Sequence, residues 1–199
     1  SPRSAVKIAV DMVEEGLIDR QTALRRVSPE QVDAHLHPQI DQGIELHPIA
    51  TGLNASPGAA TGKAVFDANE AERRARKGED VILVRPFTSP DDFHGMAAST
   101  GILTALGGAT SHAAIVARQI GLPAVVGSEG ISIDLKARLF TTPEVTIKEG
   151  DLITIDGTGG NVISGAIPLV NPEITAELEQ LLTWADAERK LDVWANADT

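Results

Sequence analysis

From Ile49 to about Ile167, glycine and small residues cut the chain into short apolar runs, and this constrains the fold more than any other feature. Val81-Ile82-Leu83-Val84 is unbroken and bounded by polar residues. A run that short fits a strand buried on both faces. Thr61 to Phe66, Gly101 to Thr104, Ala124 to Val126, Val145 to Lys148 and Leu152 to Asp156 are of the same kind. Helix signals stand between them. Asp67 to Lys77 opens on a capping box of Asp67 and Glu70, Ser89-Pro90-Asp91-Asp92 starts a second helix, and Ser111 to Ile120 forms a third. Strands alternating with helices predict one α/β domain of about 120 residues.

The flanks have a different texture. Val6, Ala9, Val10 and Val13 recur at helical spacing, and Gly16 stops that helix. Asp19 caps a short second helix, and Ser28-Pro29-Glu30-Gln31 caps a third. Near the other end Asn171 and Pro172 open a last helix with a stripe of Leu178, Leu181, Leu182 and Ala185. The expected organisation is a helical linker over 1–48, an α/β domain over 49–168, and a linker helix with the start of a further domain over 169–199. Leu191 to Ala195 reads as a strand with nothing after it to pair with, so a segment of a longer protein is expected.

Charge and composition exclude several classes. Seventeen Lys and Arg against 28 Asp and Glu give a net charge of −11, so a nucleic-acid phosphate backbone would be repelled. The densest basic patch, Arg73 to Lys77, follows Glu70 and Glu72 and reads as a solvated helix face. There are no cysteines, which rules out disulfides, thiolate metal sites and a Cys nucleophile, and fits a reducing cytoplasm. No apolar run is long enough to span a bilayer and no signal-peptide layout is present.

The stretch that carries chemistry is Gly101-Ile-Leu-Thr-Ala-Leu-Gly107-Gly108-Ala-Thr110-Ser111-His112-Ala-Ala-Ile-Val-Ala-Arg118-Gln-Ile-Gly121-Leu-Pro123. A strand runs into Gly107-Gly108, Thr110 is a suitable N-cap, and Gly121 with Pro123 ends the helix. His112 then lies in a first turn, where free N–H groups and the macrodipole favour an anion and disfavour imidazolium. A neutral imidazole can attack phosphorus, and small neighbours leave room for a phosphoryl group. The residues also allow a plainer alternative: His112 heads the column of Ile115 and Val116 and could be a half-buried core histidine.

Gly107-Gly108-Ala109-Thr110-Ser111-His112-Ala113-Ala114-Ile115-Val116-Ala117-Arg118 resembles the phosphohistidine signature of the PEP-utilising enzymes. Its Thr-Ser-His form is that of the family's pyruvate- and phosphate-using dikinases rather than its phosphoenolpyruvate synthases. Ala5 to Asp19, Val81 to Arg85 with Thr88 to Asp92, and Trp184 to Asp186 with Ala195 to Thr199 are similar to other stretches of that branch. The resemblance implies a swivelling phosphohistidine domain of β/β/α type between helical linkers. It implies His112 as the phosphorylated residue, at Nε2, supported by Gly107, Gly108, Thr110 and Ser111. It implies an ATP-grasp domain that supplies the phosphoryl group and a (β/α)8 barrel that passes it to pyruvate, both in the same polypeptide. Thr110 matches a threonine that a regulatory kinase and phosphatase act on in some members. Mg2+ is implied for the whole enzyme and no cofactor for this segment; the whole enzyme is expected to be a homo-oligomer. Three positions depart from the pattern: members commonly carry Arg at Leu106, often Met at Ala109, and frequently Glu at Phe87. A silent docking module, or a carrier for another acceptor, are the competing expectations.

Other candidates read as structural. Arg118 stands about 240° round the helix from His112 and is expected to hold a neighbouring loop or strand. His35, His37, His47 and His94 show no metal-ligand spacing. Asp156-Gly-Thr-Gly-Gly160 lacks the Gly-Lys-Ser/Thr of a P-loop and reads as a turn between strands. Trp184 and Trp194 read as anchors against packed neighbours.

Overall fold

A computed structural model describes residues 2–33, 35–41, 43–172 and 174–190. In chain order the elements are α1 (Pro2–Glu14), α2 (Arg20–Arg26), α3 (Pro29–Asp33), β1 (Gln39–Ile40), β2 (Pro48–Thr51), β3 (Leu53–Ser56), β4 (Ala59–Val65) and α4 (Ala68–Ala75). Then come β5 (Val81–Arg85), a 3-10 turn (Pro90–Asp92) leading into α5 (Phe93–Ala98), β6 (Gly101–Thr104), α6 (His112–Ile120) and β7 (Ala124–Val126). The rest are β8 (Ser132–Asp134), β9 (Leu139–Thr141), β10 (Thr146–Lys148), β11 (Leu152–Asp156), β12 (Asn161–Ser164), β13 (Leu169–Val170) and α7 (Ala176–Glu188). The chain forms two compact units, one of His37–Asn171 and one of the residues on either side.

In the sheet unit eight strands run in the order β2-β12-β11-β4-β5-β6-β7-β3. β4 to β7 are parallel, and the strands outside them pair antiparallel. The parallel centre is covered on both faces, so β5 is buried throughout and its side chains divide by the strand period of two. Ile82 and Val84 join one core with Phe140, Ile147 and Ile153. Val81 and Leu83 join the other with Met96 of α5 and Ala113, Ala114 and Ala117 of α6. A second, three-stranded sheet, β10-β9-β8, supplies Phe140 and Ile147 to the first core. The sheet-rich α/β architecture expected from the short apolar runs is present, and Asp156 to Gly160 is the turn joining β11 to β12. Strands β1, β2, β3, β8, β9 and β13 are not marked in the sequence; at two to four residues each they are too short to carry a period-two signal.

The helical unit packs α1, α2, α3 and α7 around Val6, Ala9, Val10, Ala23, Leu178, Leu181 and Trp184. Gly16 takes φ +71 after α1, Asp19 Oδ1 accepts from Thr22 N at 2.7 Å, and Ser28 and Gln31 exchange the expected capping-box bonds. The last helix differs from expectation. Thr175, not Asn171, caps it by accepting from Leu178 N, so it starts at Ala176. Its buried stripe is Leu178, Leu181 and Trp184, and Leu182 faces solvent. Trp184 is the expected anchor, with the Arg20 guanidinium 5.6 Å from its ring centroid. The expected strand at 191–195, Trp194 and the similar stretch Ala195 to Thr199 lie outside the described residues. No helix among the described residues is long and apolar enough to cross a membrane.

Candidate active site around His112

β6 ends at Thr104, whose Oγ1 donates to Leu106 O at 2.7 Å and starts the bend of the following loop. Gly107 takes φ +119, a conformation that glycine adopts without cost. Its carbonyl lies against Gly127, where a Cβ would collide with it. Ser111 N donates to Gly108 O at 2.9 Å, closing a turn over 108–111 that leaves Thr110 exposed. The helix cap is therefore Ser111, whose Oγ accepts from Ala114 N at 3.4 Å, and not Thr110 as the sequence suggested. Gly121 closes α6 in the left-handed conformation, as expected.

His112 is the first residue of α6 and is partly exposed. Ala113, Ala114, Val116 and Ala117 take the buried face, whereas Ile115, one turn on from His112, is exposed. His112 is thus half-buried at the rim of that face, which the plainer reading also allows, and its polar surroundings carry the functional one. The ring's Nδ1 lies 3.1 Å from Thr88 Oγ1. Nε2 has no hydrogen-bond partner among the described residues, and neither do the backbone N–H groups of His112 and Ala113. One ring nitrogen is thus tethered and the other is free beside unused helix donors, an arrangement suited to a nucleophile receiving an anionic group.

The sequence marks Thr88 only as the first residue of a stretch similar to the dikinase branch, with no sign of its contact with His112. Its place could have been found from topology. It lies just past the end of β5, the parallel neighbour of β6, and loops at the carboxyl ends of neighbouring parallel strands share one crevice.

The remaining candidates fall into place around this core. Arg118 donates to Ala55 O at 3.0 Å and to Ala109 O at 2.6 Å, tying β3 to the loop before His112. It holds a loop and a strand, as its angle on the helix implied. Gly108 faces open space. Leu106 N donates to Pro86 O at 2.8 Å, which carries the β5–β6 register one step beyond the strands and sets Phe87 opposite Leu106. Phe87 is 64% exposed and Leu106 57%. The two exposed apolar residues therefore stand opposite one another on adjacent chain segments.

The basic run at 73–77 is a solvated helix face: Arg73 and Arg74 bind Glu70, and Arg76 binds Glu72. Among the described residues no three His, Asp or Glu side chains gather where a metal could be held. No step below runs through the Mg2+ implied for the whole enzyme.

Residues 77–160, which include β5, β6, α6 and both Thr88 and His112, match the family described as PEP-utilising enzyme, mobile domain. A pyruvate, phosphate dikinase of Rhizobium meliloti (strain 1021) is 49% identical over 197 residues, 99% of this chain and 22% of that protein. One from Rickettsia felis is 50% identical over 98% of this chain and 22% of its own length. The chloroplastic pyruvate, phosphate dikinase 1 of Oryza sativa subsp. japonica is 48% identical over 99% of this chain and 21% of its own. The chain thus spans about a fifth of the length of the curated relatives it matches. A solved structure titled as Enzyme I (nEIt) is 31% identical over 55% of this chain and 37% of its own, with a TM-score of 0.33, and nothing here rests on it. Residues 77–160 match the mobile-domain family and dikinase sequence aligns along almost the whole chain, so the chain belongs to the PEP-utilising enzymes, as their mobile domain with its flanking helices.

Proposed function

We propose that this segment is the phosphoryl carrier of a pyruvate, phosphate dikinase, which interconverts ATP, pyruvate and phosphate with AMP, phosphoenolpyruvate and diphosphate. His112 is the carrier residue. The observation that carries the reading is the ring's asymmetry: Nδ1 is engaged by Thr88 and Nε2 is free.

For transfer from phosphoenolpyruvate, the Nε2 lone pair forms the N–P bond. The bond from phosphorus to the enol oxygen breaks, and its electron pair leaves with pyruvate enolate. Attack from Nε2 needs the proton on Nδ1, where Thr88 Oγ1 accepts it, so the ring keeps that hydrogen bond before and after transfer. The unused N–H groups at the start of α6 face the incoming negative charge. The ATP-handling and pyruvate-handling parts are the other domains of the same polypeptide, the expected ATP-grasp domain and (β/α)8 barrel. The carrier moves between them as a body, in a reducing, cytoplasm-like compartment, and Mg2+ belongs to those partners. Thr110 is exposed and freed from capping by Ser111, which leaves its hydroxyl available to a regulatory kinase and phosphatase.

The test is intact mass after the chain is mixed with phosphoenolpyruvate and a dikinase supplying the barrel. One phosphoryl group should be gained, stable in alkali and lost in acid, and His112→Asn should gain none. A folded wild-type chain that stays unmodified would favour the silent docking module, and uptake by His112→Asn would refute His112 as the carrier.

A further inference from the structure

We propose that Asp92 is a positioning residue for His112, acting on the imidazole through Thr88; its purpose rests on the phosphohistidine reading, but its geometry does not. Asp92 is a carboxylate only 7% exposed, and Thr88 is 8% exposed. Asp92 Oδ2 accepts from Ser89 N at 2.9 Å and from Ser89 Oγ at 3.3 Å. Ser89 N belongs to the peptide that follows Thr88, so the carboxylate grips the backbone on the C-terminal side of the threonine. One residue further back, the Pro86–Phe87 peptide is held by Leu106 N. The short segment carrying Thr88 is therefore pinned on both sides, with its hydroxyl at Nδ1.

Asp92 is anchored in turn. Arg85, the last residue of β5, places Nη2 3.3 Å from Asp92 Oδ1, and its Nη1 donates to Phe66 O at 3.1 Å. The line runs from the sheet through Arg85, Asp92 and the Ser89 amide to Thr88 and the ring. A hydroxyl can donate or accept; as the acceptor at Nδ1, the role that attack from Nε2 requires, the held Thr88 Oγ1 keeps the ring's lone pair on Nε2. Capping the short 3-10 turn would use the same bond to Ser89 N, so stability alone cannot separate the two roles.

The tautomer separates them. It is read from the ring 15N shifts of His112 in the unphosphorylated chain, at a pH where the ring is neutral. The wild type should hold its proton mainly on Nδ1. Thr88→Val removes the acceptor and should lower the ratio of Nδ1–H to Nε2–H by about fivefold, the effect of one hydrogen bond. Asp92→Asn forces an NH2 group against either the Ser89 amide or the Arg85 guanidinium, both donors, and should lower the ratio in the same direction. In the Thr88→Val chain, Asp92→Asn should change it no further. Arg85→Gln frees Asp92 without touching the turn and gives the same reading should the Asn variant fail to fold. The proposal is overturned if the wild type keeps its proton on Nε2. It is also overturned if Asp92→Asn and Arg85→Gln leave the tautomer unmoved, or if Asp92→Asn acts equally without Thr88. Absence of phosphoryl uptake would defeat the proposed function and leave this result standing.

Discussion

At the scale of single residues, the two glycines before His112 do different work. Gly107 has positive φ, and a Cβ there would lie 3.0 Å from Ser111 Cβ and Oγ. Gly107→Ala should cost about 1–3 kcal/mol of stability, through backbone strain. Gly108 has no such demand, since a Cβ there meets nothing within 4 Å. Gly108→Ala should leave thermal unfolding of the sheet unit unchanged while slowing phosphoryl uptake, because the methyl enters space left for the visiting group. Equal unfolding losses in both variants would contradict this division. The pair Phe87 and Leu106 gives a second prediction. Phe87→Glu sets an uncompensated carboxylate beside the loop that receives a phosphoryl group and should slow uptake about tenfold by like-charge repulsion. Adding Leu106→Arg places a cation opposite it, and the double variant should recover most of the rate. Additive losses in a single-turnover assay would show that the two positions do not act together.

At the scale of elements, α4 shows how local charge supports a helix. Glu70 accepts from Arg73 and Arg74, and Arg74 also reaches Glu149 of the loop after β10. Arg73 first, then Arg74, lower the Glu70 carboxyl from its ordinary 4.5 to about 2. A lowered folded value means the stabilisation is complete above pH 4.5 and is lost as pH falls through about 2. Glu70→Gln should therefore cost roughly 0.5–1 kcal/mol at pH 7, and the gap to wild type should close between pH 4.5 and 2 in chemical denaturation. A gap that stays constant with pH would assign the loss to packing. Elements of this kind were legible in the sequence because their signals are local: the Asp67 cap, the apolar run of β5, and the Gly121 stop. The cap of α6 was displaced by one residue because Thr110 and Ser111 are equally good candidates, and only the turn bond from Ser111 N to Gly108 O decides between them. Thr88 escaped for a related reason. It meets His112 across 24 positions, and contact at that separation follows from strand order, which no local motif encodes.

At the scale of the whole molecule, the chain path forces the large sheet to close. β2 and β3 occupy opposite edges of the eight-stranded order, yet only Gly52 separates them in sequence. In an open sheet those edges would stand about 34 Å apart at the usual strand spacing. One intervening residue spans about 7 Å between the strand ends, so the sheet must curl until its edges adjoin. Gly52 N donates to Gly160 O, and a Cβ at Gly52 would lie 2.7 Å from Val126 O. Closure protects the edge strands and gives the His112 loop a rigid support inside residues 37–171, which have cores of their own. The helical unit is built otherwise, from both ends of the chain, since α7 supplies Leu178, Leu181 and Trp184 to the cluster holding Val6 and Ala23. A chain ending at Asn171 should therefore lose hydrogen-exchange protection throughout α1 to α3, because helices of that length depend on tertiary packing. The same truncation should leave β4 to β7 protected and the Thr88–His112 contact intact. Protection retained in α1 to α3 would mean that those helices fold without α7, and the helical unit would then have to be redefined as the N-terminal helices alone.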